Sequence, residues 1–238
     1  MSGFFLSSKT DADKSFLRQN LESVLLALLL ALCVRAFIVQ PFKIPSSSME
    51  PTLLVGDYII VQKFAYETKI PFFDIAVYKN ADVKKGDIVV FKKSDNPGGK
   101  KNYFIKRVIA TGGDIVEIRG RVIYINGDKT VQSYAGMYEE EDGLERYEQR
   151  FGTKNVSVIY EKGRYSTYKG NVSYPLIVPE GQVFLMGDNR DNSRDSRLWG
   201  TISESEVVGK AVMIHWSWSF KDSLVPEIRW KRIFSGIR

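Results

Sequence analysis

Three stretches of this chain bring together residue types that do chemistry. In Ile44-Pro45-Ser46-Ser47-Ser48-Met49-Glu50-Pro51-Thr52-Leu53, prolines stiffen both ends and would hold a serine hydroxyl in fixed register ahead of apolar Leu53-Leu54. In Tyr103-Phe104-Ile105-Lys106-Arg107-Val108-Ile109, strand alternation sends Lys106 and Arg107 to opposite sides, so one of them shares a face with apolar neighbours. A buried lysine sheds its charge readily and can act as a general base; arginine cannot. From Gly187 to Arg197, eleven consecutive residues are glycine, charged or hydrogen-bonding types. Their closely spaced opposite charges predict a loop fixed by its own ion pairs and Asx-type hydrogen bonds. The plainer alternatives are a Ser-rich linker for the first stretch and, for the second, an edge strand with both charges solvated.

Counting narrows the other chemistries. Cys33 is the single cysteine and His215 the single histidine. That excludes an intramolecular disulfide, a Cys/His zinc site and any Ser-His-Asp triad that does not use His215. His215 lies among Ile214, Trp216 and Trp218 and reads as a packed or interfacial residue. Ser166-Thr167-Tyr168-Lys169 and Ser94-Asp95-Asn96 match elements of penicillin-binding proteins, but in reverse order and without a following Lys-Thr-Gly, so they read as chance. At 44% hydrophobic and 26% charged, the composition is that of a folded protein. A net charge of +6 permits attraction to anionic lipid or nucleic acid without requiring it, and no nucleic-acid motif surrounds the dispersed basic residues.

The elements that must position these stretches are short β-type runs separated by turns. They include Tyr58 to Val61, Asp87 to Phe91, Ile105 to Ile109, Arg121 to Ile125, Ser157 to Tyr160, Gln182 to Met186 and Val207 to Ile214. Asn126-Gly127 predicts a type I′ hairpin turn after Ile125. No long amphipathic helix follows residue 41, so the globular part is mostly β. Residues 128–175 carry an acidic cluster (Glu139, Glu140, Glu141, Asp142, Glu145, Glu148) and few core-like runs, and read as a solvated, loop-rich insertion.

Ahead of all this, Ser23 to Val34 is uncharged and rich in leucine. With Arg35 tolerated by snorkelling, the apolar stretch reaches Pro41, roughly 28 Å of helix against a hydrocarbon core of about 30 Å. A retained membrane span is the reading carried forward, over a cleaved signal peptide or a buried helix. Lys9, Lys14 and Arg18 precede the span and only Lys43 follows before Gly56, which puts the N-terminus in the cytoplasm and residues 42–238 outside.

Taken together, the chain resembles the bacterial type I signal peptidases. The resemblance is carried by the apolar anchor, by Ser46 to Leu53, by Gly86-Asp87-Ile88-Val89-Val90-Phe91, by Lys106-Arg107 with Gly113-Asp114, and by Gly187 to Arg197, in the family's order over residues 23–197. It implies a Ser-Lys dyad with Ser48 as nucleophile and Lys106 as general base, and no metal or cofactor. Ser46 matches the residue whose hydroxyl joins the nucleophile's N–H in the oxyanion hole. Ser193 matches the residue that orients the lysine amine, and Asp195 with Arg197 a supporting ion pair. Phe42, Ile44, Pro45, Met49, Leu53, Ile59, Phe104 and Ile105 match the walls of the substrate cleft. Phe104 stands where some relatives have tyrosine, and Ser47 where glycine is frequent, so a positive φ there would be awkward.

The implied fold is mostly β: an antiparallel β-sheet catalytic core with a β-rich insertion at about 118–178, preceded by one transmembrane helix. Residues 1–22 would be a cytoplasmic tail, 23–41 the anchor and 42–238 an extracytoplasmic catalytic domain. The implied activity is that of a membrane-bound serine endopeptidase removing N-terminal signal peptides from exported preproteins, cleaving after small residues of the A-x-A-like pattern. Its partners would be preproteins and the phospholipid membrane, not nucleic acid. It would work as a monomer, single-pass in the inner (cytoplasmic) membrane, with the catalytic domain on the periplasmic face. Lysine ordinarily titrates near pH 10.4, so burial must bring Lys106 to about 7–8. A self-cleaving repressor-type Ser-Lys protease and a membrane-tethered β-domain that binds peptide or lipid without cutting are the rival readings.

Overall fold

A computed structural model of the protein describes residues 20–32, 38–70, 75–94, 98–151, 154–163, 172–220 and 225–237. Cys33, Arg35, Asp95-Asn96 and the Ser166-to-Lys169 motif lie outside the described residues. A helix, α1, covers residues 20–32. Strand β1 (Val39–Lys43) already occupies the end of the stretch read as an anchor to Pro41. Among the described residues no helix is long and apolar enough to cross a membrane.

β1 pairs antiparallel with β2 (Asp57–Gln62), so the serine segment is the loop between two neighbouring strands. A hairpin of β3 (Glu67–Ile70) and β4 (Ile75–Lys79) leads to β5 (Ile88–Ser94) and the long β6 (Lys101–Thr111), which carries Lys106 and Arg107. The chain then makes an excursion through β7 (Ile115–Arg119), β8 (Val122–Ile125), β9 (Asp128–Lys129), β10 (Gln132–Met137), β11 (Leu144–Phe151), β12 (Lys154–Glu161) and β13 (Leu176–Ile177). It rejoins the main sheet at β14 (Gln182–Met186), which leads into the Gly187-to-Arg197 loop and the one-turn helix α2 (Ser196–Trp199). β15 (Ile202–Ser203), β16 (Val207–Ser219), β17 (Glu227–Ile228) and β18 (Ser235–Gly236) complete it. The order in the main sheet is β1-β2-β16-β5-β6-β14-β15, with β17 and β18 on β16, and its pairings are antiparallel. A mostly β architecture is what the short β-type runs predict, and antiparallel pairing is what the resemblance implies.

Two details follow from local chemistry. Asn126 and Gly127 both take positive φ (55° and 85°) between Ile125 and its partner Asp128, as a two-residue type I′ turn requires. The region read as loop-rich is a correction: β10, β11 and β12 form a three-stranded antiparallel sheet, with a register shift between Tyr134 and Gly136. Most positions of β10 and β11 are half-buried or exposed, so charges alternate with partly covered side chains and no apolar run marks the strands. The excursion also begins earlier than residue 118, because the main sheet is left after Thr111 and rejoined at Gln182.

Both faces of β6 are covered in its second half. On one side Ile105 packs with Ile44, Met49, Leu53, Ile59 and Ile214; on the other Val108 packs with Val89, Phe91, Leu185 and Val207. A third cluster joins the main sheet to the excursion through Ile109, Phe184 and Met186 against Val116, Ile123, Val156, Val158 and Tyr160.

Candidate active site

The serine segment leaves β1 extended and then tightens. Ser46 is extended (φ −135°, ψ 156°), and Ser47–Met49 forms a single 3-10 turn. Met49 and Leu53 are wholly buried, and Leu53 N donates to Met49 O at 2.9 Å, so apolar side chains pin the turn to the core. That leaves the Ser46 and Ser48 hydroxyl oxygens facing each other at 3.5 Å. Ser47 fits without strain: positive φ among the described non-glycine residues occurs only at Asn126 and Phe234. The Ser47 hydroxyl accepts from Asn192 Nδ2 at 3.1 Å.

β6 brings Lys106 to this turn. Its Nζ donates to Ser48 Oγ at 2.7 Å and to Ile105 O at 2.8 Å, with the residue 4% exposed. Burial is the largest influence on the amine and pushes it down from 10.5 to about 8; Asp195 and Asp188 pull it up, and Arg197 adds to the depression. In its neutral form the same contact puts the nitrogen lone pair on the serine proton, which is the geometry of a general base.

The sequence expectation sent one of the two cations of β6 to an apolar face; the structure buries both. Arg107 is wholly enclosed and forms a two-pronged pair with Asp188, Nε to Oδ1 at 2.8 Å and Nη2 to Oδ2 at 2.7 Å. Its Nη1 donates to Gly86 O at 2.8 Å, and Thr52 Oγ1 donates to Asp188 Oδ2 at 2.6 Å. Sequence reasoning missed this pairing. The signal available was physical: a second charge on a strand buried on both faces needs an opposite charge, and the Gly187-to-Arg197 loop supplies one.

That loop is held as expected, by its own polar groups. Asp195 accepts from Gly187 N at 3.0 Å, caps α2, and pairs with Arg197 through Nε and Nη2, each at 2.8 Å. Burial would raise the Asp195 carboxyl, but the charge and hydrogen bonds of Arg197 outweigh it and hold the group below the usual carboxylate range; Arg197 is held above its own. Gly187 passes so close to the serine turn that a Cβ there would fall 2.4 Å from Ser48 O and 2.3 Å from Ser193 Oγ, so no side chain fits. Asn189 N donates to Ser48 O at 3.2 Å. Ser193 is buried, its hydroxyl beside the Asp195 carboxylate without a well-formed hydrogen bond. The partners of the lysine amine here are Ser48 and the Ile105 carbonyl rather than Ser193.

Of the residues expected to line the cleft, Ile44, Met49, Leu53, Ile59 and Ile105 form one buried cluster with Phe42 against it. Pro45 is exposed. Phe104 is set apart: strand alternation turns it to the other core, where it stacks on Phe91 at 5.9 Å and meets Trp199 edge-on at 5.7 Å. His215 packs edge-on to Tyr58 at 6.1 Å, and its Nε2 has no hydrogen-bond partner. Among the described residues no group of three His, Cys, Asp or Glu side chains is placed to hold a metal ion.

Comparison with known proteins bears on this geometry. The family model described as signal peptidase, peptidase S26, matches residues 17–216. The chain is 37% identical over 203 residues to signal peptidase I of Pseudomonas fluorescens, covering 80% of this chain and 69% of that one. It is 37% identical over 206 residues to signal peptidase I of Pseudomonas aeruginosa, with the same coverage of 80% and 69%. To signal peptidase I of Aquifex aeolicus it is 33% identical over 242 residues, covering 89% of this chain and 88% of the other.

Proposed function

The chain belongs to the signal peptidase, peptidase S26 family, serine proteases that remove signal peptides from preproteins, and we propose that it does this chemistry with Ser48 as nucleophile and Lys106 as general base. One observation carries the assignment of roles: a serine hydroxyl 2.7 Å from a buried amine whose pKa lies near 8. Neutral Lys106 takes the Ser48 proton as Oγ bonds to the scissile carbonyl carbon. The developing oxyanion is met by the Ser48 backbone N–H and the Ser46 hydroxyl. Collapse breaks the C–N bond, and the lysine's proton goes to the departing amine. Water then attacks the Ser48 ester, its proton passing through Lys106, and the acid is released with the dyad restored. Phe42, Ile44, Met49, Leu53, Ile59 and Ile105 form the acyl-side wall. Because this wall is already close-packed, only small side chains next to the scissile bond fit. Asp195 and Arg197 hold the loop that backs the lysine, with Ser193 buried beside the Asp195 carboxylate.

The finer placement belongs to the same proposal. The chain sits in the inner membrane by one N-terminal span, with its N-terminus in the cytoplasm and the catalytic domain on the outer face, and acts as a monomer. In support, the leucines of α1 are exposed (Leu26 68%, Leu30 65%), and so are Phe220, Trp230 and Phe234 in the chain after β16. Preprotein cleavage by the full chain beside Ser48→Ala and Lys106→Ala tests the dyad; both variants should fold and neither should cut. Retained cleavage by either removes that residue from its role, and no cleavage by the unaltered chain leaves the binding-domain rival. A chain beginning at Ile38 should bind anionic liposomes; no binding and no lipid effect on cleavage would mean that Phe220, Trp230 and Phe234 do not meet the membrane.

A further inference from the structure

The excursion between Thr111 and Gln182 touches the catalytic loop directly. Its strand β12 runs beside residues 188–190, with Ile159 N donating to Asp188 O at 3.0 Å and Arg190 N donating to Ile159 O at 2.9 Å, an isolated parallel bridge centred on Asn189. Two residues of that stretch are tied to the strand and turn that carry the dyad: Asp188 holds Arg107, and Asn189 N donates to the Ser48 carbonyl at 3.2 Å. One residue further, Glu161 N donates to Asp191 Oδ2 at 3.0 Å.

Arg190 is the side chain that links the two bodies. It is wholly buried, its Nε donates to Gly187 O at 3.1 Å, and its Nη1 reaches the Tyr160 hydroxyl at 3.4 Å. Its own carbonyl accepts from Arg197 Nη2 at 2.6 Å. Tyr160 in turn donates to Arg121 O at 3.0 Å, and the Arg121 guanidinium lies 4.8 Å over the Tyr160 ring. Gly187 lies directly against the serine turn, where a Cβ would fall 2.4 Å from Ser48 O. A displacement of Arg190 therefore passes to Gly187, and from there to Ser48 O, Ser193 and the Asp195–Arg197 pair.

We propose that Arg190 and Tyr160 are positioning residues, through which the excursion fixes the distance between the catalytic loop and the Ser48–Lys106 pair. The inference rests on the dyad assignment above and adds to it a task for the excursion. A loose loop would let water reach Lys106 and would alter the field it experiences. The groups facing that amine are Ser48 and Ile105 O, with the carboxylates of Asp188 and Asp195 and the guanidinium of Arg197 acting from the loop. Less burial returns a lysine toward its ordinary, higher pKa.

The test is steady-state cleavage of a preprotein by the full chain across pH 6 to 10, for Tyr160→Phe and Arg190→Gln. Tyr147→Phe is the control, since Tyr147 packs on Tyr160 at 5.5 Å but spends its hydroxyl on Glu145. For Tyr160→Phe, which loses the bond to Arg121 O and the long contact from Arg190, kcat should fall about fivefold with KM nearly unchanged. The rising limb of its pH profile should move to higher pH, and Arg190→Gln should do both more strongly. Tyr147→Phe should do neither. An unmoved limb in folded Tyr160→Phe overturns the proposal, whether kcat is unchanged or falls with thermal stability, and so does a shift of equal size in the control. Should Arg190→Gln fail to fold, Tyr160→Phe decides alone, because it keeps the ring and loses one oxygen. Failure of the dyad is distinguishable, since Ser48→Ala or Lys106→Ala would then still cleave the preprotein.

Discussion

Lys106 and Arg107 are neighbours on one strand, on opposite faces and almost equally enclosed at 4% and 0% exposure, yet the protein treats the two charges in opposite ways. On the Arg107 side every nearby group serves to satisfy the cation: two prongs to Asp188, a carbonyl at Gly86, and Thr52 on the carboxylate. On the Lys106 side the nearest partners are a hydroxyl and a carbonyl, and the carboxylates of Asp188 and Asp195 act from beyond them while committed to their own arginines. The first arrangement makes a charge permanent and structural. The second makes it removable, since a buried amine without a carboxylate of its own can lose its proton within the working pH range. Residue type reinforces the division, because guanidinium holds its proton under all working conditions and ammonium does not.

The strongest way to break that contrast is to give the Lys106 side an arginine. Lys106→Arg keeps the charge and removes the means of losing it, so cleavage should fall by about a thousandfold or more in a single-turnover assay. Activity near that of the unaltered chain would show that position 106 never acts as a base. On the other side, Asp188→Asn strands the Arg107 guanidinium. Destabilisation of about 3–5 kcal/mol is expected by denaturant titration, as for other buried pairs that lose one partner. A shift under about 1 kcal/mol would mean that Thr52 and Gly86 suffice to hold the cation.

How far the sequence alone could go is visible on these same two faces. Alternation located β6 and put Lys106 and Arg107 on opposite sides, because the strand period is local. Covering both faces is a tertiary event, produced when β5 and β14 flank β6 and the serine turn lies across it, so the Arg107–Asp188 pair was not legible. Phe104 lies across the strand from Ile105 by the same period of two, on the face of Lys106, and packs with Phe91 and Trp199. The Asn126-Gly127 turn was read correctly because its constraint is confined to two residues. Within the acidic region only the apolar run Ser157 to Tyr160 of β12 is legible as a strand; β10 and β11 are half-covered and lack the apolar alternation that identifies one. The Gly187-to-Arg197 loop was recognised as self-bonded from charge spacing, whereas its bridge to Ile159 depends on where a distant strand lies.

The contrast sharpens in the pH profile. With Lys106 near 8, the protonated form predominates below that point, and kcat/KM should fall about tenfold per pH unit as pH drops from 7 to 5. Folded-state spectra should stay unchanged over the same range, since Asp195 is held below the usual carboxylate range and keeps its charge there. A profile flat between about pH 5 and 9 contradicts a lysine base.

The smallest effect is the most diagnostic, because it concerns stability rather than rate. A lysine whose folded pKa is depressed binds its proton more weakly in the folded chain than in the unfolded one. Between about 8 and 10.5 the unfolded state therefore holds more protons, and stability contributed by this group rises with pH through that window. Below about 8 the penalty is fully present, and a drop from 10.5 to about 8 corresponds to about 3 kcal/mol at most. Lys106→Met removes the amine and keeps much of the volume, at the loss of the hydrogen bonds to Ser48 and Ile105 O, so a net gain of about 1–2 kcal/mol is expected at pH 7. The gain should shrink as the pH approaches 10.5, where the unaltered chain no longer carries the penalty. Thermal melts of both proteins at pH 6, 7, 8 and 9.5 provide the measurement. Equal differences at all four values would show that the amine titrates no differently folded than unfolded, and Lys106 would then be as structural as Arg107.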